Sequence, residues 1–140
     1  MLNRLKDWLK MLQTHLNINY MYKIEKVNWL SEEIREAEVY LCDDKYSIIV
    51  FSYPFNKKAG ETISELLHTL NADDITVSEV SEFCINRISN SFSYNVVGII
   101  DNKDQNQIKV GSFIIKLDGS LPKDLNKGDY VSFTCDRIDL

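Results

Sequence analysis

From residue 21 to the end of the chain, apolar residues recur at every second position, and this rhythm constrains the fold more than any other feature. Successive side chains of a strand point to opposite faces, so period two implies one buried face and one wet face. Tyr22, Ile24 and Val27 open a first run. Ala37, Val39 and Leu41 alternate with Glu36, Glu38 and Tyr40. The turn Asp43-Asp44-Lys45 then leads into YSIIVFSY, which is rich in β-branched and aromatic residues and predicts a hairpin. ITVSEV and FCINRI read as two weaker short strands. SYNVVGIID and QIKVGSFIIKL flank a polar turn from Asn102 to Asn106, with Gly98 and Gly111 at bulge or bend positions. Tyr130, Phe133 and Cys135 lie in a last strand running to Ile138.

The chain echoes itself. Pro54 is followed by Gly60, Glu61, Ile63 and Ser64 at the spacing with which Pro122 is followed by Gly128, Asp129, Val131 and Ser132. Proline ends the preceding strand because it offers no N–H to a ladder, glycine supplies a turn conformation, and a new strand leaves from it. Residues 60–70 carry two signals at once. Ile63, Leu66, Leu67 and Leu70 fit a helix face, whereas the echo favours a strand, so a strand turning into a short helix is expected. The hairpin followed by LPKDLNKGDYVSF resembles the closing strands of OB-like barrels, a likeness of fold that carries no function. The expectation is a mostly-β protein, a barrel or sandwich of about eight strands with OB-like meanders, plus one N-terminal amphipathic α-helix. Residues 21–140 form one β-rich domain, with two similar meander halves at 21–80 and 83–140.

Residues 1–20 differ in period and charge. Leu2, Leu5, Leu9, Leu12 and Leu16 recur at spacings of three and four, Trp8 widens the stripe, and Arg4, Lys6, Asp7 and Lys10 occupy other faces. A helix of barely two heptads is unstable alone in water, so it must dock. Its own domain is the first destination. Next comes a self-association or partner seam through Leu2, Leu5, Trp8, Leu9 and Leu12, and last a membrane surface. Met21 also opens a segment that reads like the beginning of a β domain, so residues 1–20 are either a true extension or the product of an upstream start.

Composition matters here for what it excludes. At 44 % apolar and 26 % charged, the 140 residues match a folded globular domain rather than a disordered chain. Residues 1–30 balance to +3 and residues 31–140 to −8, giving −5 overall. An acidic body repels phosphates, which disfavours nucleic acid and favours a basic protein partner. No run approaches a membrane span, and the charged start lacks a secretory signal's apolar stretch. Cys42, Cys84 and Cys135 are widely spaced, form no CxxC pair and sit in apolar alternating runs. They read as buried reduced thiols of a cytoplasmic protein.

Chemistry is sparse. His15 and His68 are the only imidazole bases, and neither lies in a nucleophile or metal motif. Five scattered glycines cannot build a phosphate-cradling loop. Asp43-Asp44, Asp73-Asp74, Asp101 with Asp104, and Asp136 with Asp139 all fall in turns or at strand ends, where aspartate serves backbone hydrogen bonding. Asp101 to Asn106 lacks the third-position ligand, the central glycine and the closing glutamate of a calcium loop. No catalytic residue, cofactor or metal is therefore expected. The leading expectation is a non-catalytic binding protein, concretely an immunity-type inhibitor that covers a basic toxin enzyme. The alternative is an OB-like nucleic-acid-binding or accessory module, although YSIIVFSYPF holds no basic residue to accompany its aromatics.

Overall fold

The computed structural model describes Arg4 and residues 21–140. The predicted helix seam of Leu2, Leu5, Trp8, Leu9 and Leu12, and His15 with it, lies outside them. Over residues 21–140 every regular element is a strand, and among the described residues no helix is long and apolar enough to cross a membrane.

The first meander is built from β1 (Tyr22–Ser31), β2 (Glu36–Cys42) and β3 (Ser47–Ser52), paired antiparallel in that order. β4 (Thr62–Ile63) returns to β1, and β5 (Leu67–Leu70) follows. β6 (Asp73–Val77) and β7 (Cys84–Arg87) come next. The second meander is β8 (Tyr94–Asn102), β9 (Gln107–Val110) and β10 (Phe113–Lys116). β11 (Tyr130–Cys135) returns to β8 as β4 returns to β1, and β12 (Arg137–Asp139) ends the series. The last strand of each group crosses over. β5 lies parallel to β10, β12 lies parallel to β3, and β5 and β12 pair antiparallel between them.

The echo in the sequence falls on the two returning turns. Gly60 and Gly128 have φ of 95° and 93°, a region open to glycine and strained for other residues. The Gly60 N–H donates to the Ile24 carbonyl at 2.7 Å and the Ile24 N–H to the Glu61 carbonyl at 2.9 Å. Gly128, Ile100 and Asp129 repeat this at 2.9 and 3.0 Å. The acid after each glycine closes its own turn from the side chain. The Glu61 carboxylate accepts the Lys58 N–H, and the Asp129 carboxylate accepts the Asn126 N–H at 2.8 Å.

One face of nearly every strand enters a single core. Tyr22, Ile24, Val39, Leu41, Val50, Ile100, Ile108, Phe113, Ile115 and Ile138 are all buried there. The Tyr22 and Phe113 rings, from β1 and β10, meet at 5.0 Å between centroids. The Tyr94 hydroxyl of β8 accepts the Ile49 N–H of β3 at 2.9 Å. Strands far apart in the ladder therefore touch, because the sheet curls its apolar face inward.

Two expectations need correction. Among the described residues the strands number twelve in one mixed sheet, and that sheet stays open instead of closing as a barrel or splitting as a sandwich. Its ends are β4 and β6, which do not pair; β4 is two residues long, and β6 lies along β11. Residues 60–70 hold strands β4 and β5 and no helix. The helix-spaced leucines are divided by pairing: Leu67 is buried, whereas Leu70 is 37 % exposed. Long-range ladders outweigh the local helical spacing. Gly98 sits where β8 exchanges β7 for β9 as its neighbour, and a β-carbon there would lie 2.7 Å from the Lys109 carbonyl oxygen.

Candidate functional site

Residues 71–93 lie between the two meander groups and interrupt their shared pattern. The stretch leaves the body at a tightly held corner. The Asp118 carboxylate accepts the Asn71 N–H at 2.7 Å, the Ala72 N–H at 2.8 Å and the Thr69 hydroxyl at 2.8 Å. The Asp118 N–H in turn donates to the Thr69 hydroxyl oxygen at 3.0 Å. What burial the Asp118 carboxyl has works to raise its pKa, but the Ala72, Thr69 and Asn71 donors outweigh it and hold the group below its ordinary value. The Asn71 amide also reaches the Asp136 carboxylate at 2.8 Å.

β6 then runs antiparallel to β11 with a register break at Asp74, whose φ is 51°. Its opposite edge has no strand neighbour among the described residues, because β6 ends the sheet. Val77 is 61 % exposed and Val80, just beyond the strand, 58 %. Ser78 fixes that exit: its N–H donates to the Tyr130 carbonyl at 3.0 Å and its hydroxyl to the Val80 carbonyl at 2.9 Å. Phe83 pins the stretch back to the body between the rings of Tyr46 and Tyr130, at 6.0 and 5.9 Å.

Over residues 71–86 charge has one sign. Asp73, Asp74, Glu79 and Glu82 are all exposed, and residues 71–86 contain no Lys or Arg. Arg87, the one cation of residues 71–93, turns onto its own loop and donates to the Ser91 and Asn90 carbonyls at 2.6 and 3.4 Å. The ion pairs among the described residues, Lys57–Glu65 and Arg137–Asp139, lie elsewhere. An open cleft of about 510 Å³ adjoins the start of β6, lined by Asn71, Ala72, Asp73, Ile88, Ser93, Thr134, Cys135 and Asp136.

The other candidate groups fall into structural places. Asp43 is a hub: it accepts the Lys45 and Tyr46 N–H groups at 2.7 and 2.6 Å and the Ser112 N–H of the other hairpin at 2.8 Å. Burial pushes its pKa up, the three N–H donors outweigh that, and the net shift is downward. Asp139 holds Arg137 in a two-bond fork at 2.6 and 3.0 Å. Burial pushes the Cys135 thiol up to about 12, which leaves it protonated and unreactive at neutral pH. Cys42 is half-buried. Cys84 is exposed, contrary to the expectation of burial, because β7 lies on β8 alone and turns every second residue to solvent. His68 is exposed on β5, opposite Asp139. No group of three or more His, Cys, Asp or Glu residues able to hold a metal occurs among the described residues.

The sequence marks Asp73-Asp74 as turn residues and does not single out Glu79, Glu82 or the valines. ITVSEV reads as a weaker short strand, and alternation assigns faces without saying which edge lacks a neighbour. Its usable signal is two valines set among four acids with no intervening cation. Folding also supplies what the aromatic strand lacks in sequence. The Lys26 ammonium stands 5.1 Å from the Tyr40 ring centre, and the Arg137 guanidinium stands 4.1 Å from that of Phe51. No family model, curated protein or solved structure matches this chain.

Proposed function

We propose that this chain is a non-catalytic binding protein for a basic protein partner, acting as an immunity-type inhibitor acts when it covers a cationic toxin enzyme such as a nuclease. The observation that carries the reading is the 71–86 stretch, where four exposed carboxylates surround two exposed valines without a compensating cation. Apolar contact supplies affinity when water leaves it, and the carboxylates steer a cationic surface and reject an anionic one. A cytoplasmic setting belongs to this reading, on three cysteines that form no disulfide. The test is co-purification of the native chain, followed by titration of each recovered basic protein at low and high salt. A one-to-one complex tighter than about 1 μM and weakened by salt is the expected result. Recovery of no basic protein that binds this tightly ends the proposal.

The second reading, an OB-like nucleic-acid or accessory module, has one observation in its favour. The outer face of β2 and β3 gathers Tyr40 and Phe51 with Lys26 and Arg137, the stacking-plus-cation chemistry that single strands use. Against it, Glu38 accepts the Tyr40 hydroxyl at 2.8 Å, and Asp139 already neutralises Arg137. Anisotropy titration with a labelled oligothymidylate that shows no salt-sensitive binding disposes of this reading.

A further inference from the structure

We infer that the free edge of β6 receives an extended basic segment of the partner, which adds to the sheet as one more strand. The inference rests on the reading of the chain as a binder of basic proteins and names the contact. A terminal strand presents unpaired backbone donors and acceptors, which pair with any compatible strand unless something blocks them. Natural edges are commonly blocked with lysine or proline, and β6, Asp-Asp-Ile-Thr-Val, has neither. Its guards are the bend at Asp74 and the carboxylates. A guard of one sign is selective. It repels an acidic or neutral edge, whose approach would desolvate carboxylates without compensation, and it admits an edge carrying Lys or Arg.

Charge also decides between a foreign strand and a second copy of this chain. Self-pairing through β6 would bring together two copies of a stretch whose exposed charges, Asp73, Asp74, Glu79 and Glu82, are all negative, and like charges brought close are destabilising. The other strands with one strand neighbour among the described residues suit the role less well. β4 is two residues long, and β7 carries Arg87 and no carboxylate. Beyond the bend at Asp74 the extended part of β6 is residues 75–77, about 10 Å at the usual rise per residue. The exposed Val77 and Val80 give an incoming strand apolar contacts at its far end, and Asp73 and Asp136 in the adjoining cleft offer a cation a seat at its near end.

The test uses the full chain and three ten-residue peptides: alternating Lys and Val, alternating Glu and Val, and the Lys/Val peptide with every backbone nitrogen methylated. Binding of the Lys/Val peptide below about 1 mM is expected, with no measurable binding of the other two. Its amide hydrogen-exchange signature is slowed exchange within residues 75–77, since the Asp74 N–H already donates to the Asp73 carboxylate at 2.8 Å. The double variant E79K/E82K lies outside the ladder and leaves the fold alone; it should weaken the Lys/Val peptide by about tenfold or more. Three results overturn strand addition: no binding of the Lys/Val peptide, equal binding of the methylated one, or unchanged exchange in β6. If a basic protein partner still binds the chain while any of these holds, the contact is wrong and the function stands. If no basic protein binds, the function itself has failed.

Discussion

The two meander groups and the stretch between them obey different rules. Alternation governs the strands of the meanders, broken in β1 at the bulge between Ile24 and Lys26: β2 buries Ala37, Val39 and Leu41, and β8 buries Tyr94, Val96, Gly98 and Ile100. Residues 71–93 contribute no fully buried side chain to the core; Ala72, Ile75, Phe83 and Ile85 only rest against it. Stability is therefore concentrated in the meanders, and the intervening stretch can present apolar groups to solvent without weakening the body. A surface that must bind needs this separation, because side chains committed to the core are unavailable to a partner.

Loss of a core ring tests that separation directly. Phe113 is fully buried against Tyr22, so Phe113→Ala should cost about 3–5 kcal/mol through lost transfer energy and a residual cavity. Val77→Ala, at an exposed edge, should change stability by less than about 0.5 kcal/mol. Urea denaturation of the two variants gives the contrast. Similar losses would mean that the stretch is part of the stabilising core, and the division would be wrong.

A smaller effect sharpens the likeness between the two meanders. Gly60 and Gly128 hold nearly the same left-handed φ, and a β-carbon at either would meet no atom within 4 Å. Any cost of Gly60→Ala or Gly128→Ala is therefore backbone strain alone, about 1–3 kcal/mol. The two costs should agree, since the same carbonyl-to-amide pairing closes each turn. Clearly unequal unfolding midpoints would show that the returning turns share a sequence pattern without sharing a physical role.

Much of this division can be read in the sequence, and the limits have physical causes. Period two identifies the strands of both meanders because burial of one face is a local constraint on each strand. It cannot identify the crossings of β5 to β10 and β12 to β3, which rest on one or two paired positions set by the curl of the whole sheet. It also leaves Leu66, Leu67 and Leu70 ambiguous, since helix and strand spacings coincide over so short a run. The turn aspartates show a similar limit. Asp43 can be recognised as a turn residue, but its bond to Ser112, 69 residues away, cannot. At the candidate site the acids of residues 73–82 are plain in the sequence, whereas the free edge beside them is a property of the assembled sheet.

The smallest effect concerns the joint between the two regions and follows from Asp118. Its carboxyl is held below the ordinary aspartate value by donors from Ala72, Thr69 and Asn71, against the opposing pull of burial. A group whose folded pKa is depressed stabilises the fold fully above its unfolded pKa, about 3.9, and loses that contribution as pH falls through the folded value. The carboxyl is exposed to solvent, so the effect should be modest and local. Below about pH 4 the corner at Asn71 and Ala72 should loosen before the meanders do. Asp118→Asn should remove this acid dependence: the variant is slightly less stable at neutral pH, and the difference from the unaltered chain shrinks as the solution is acidified. Stability curves from pH 6 down to pH 3 that stay parallel for the two proteins would show that Asp118 does not couple residues 71–93 to the body.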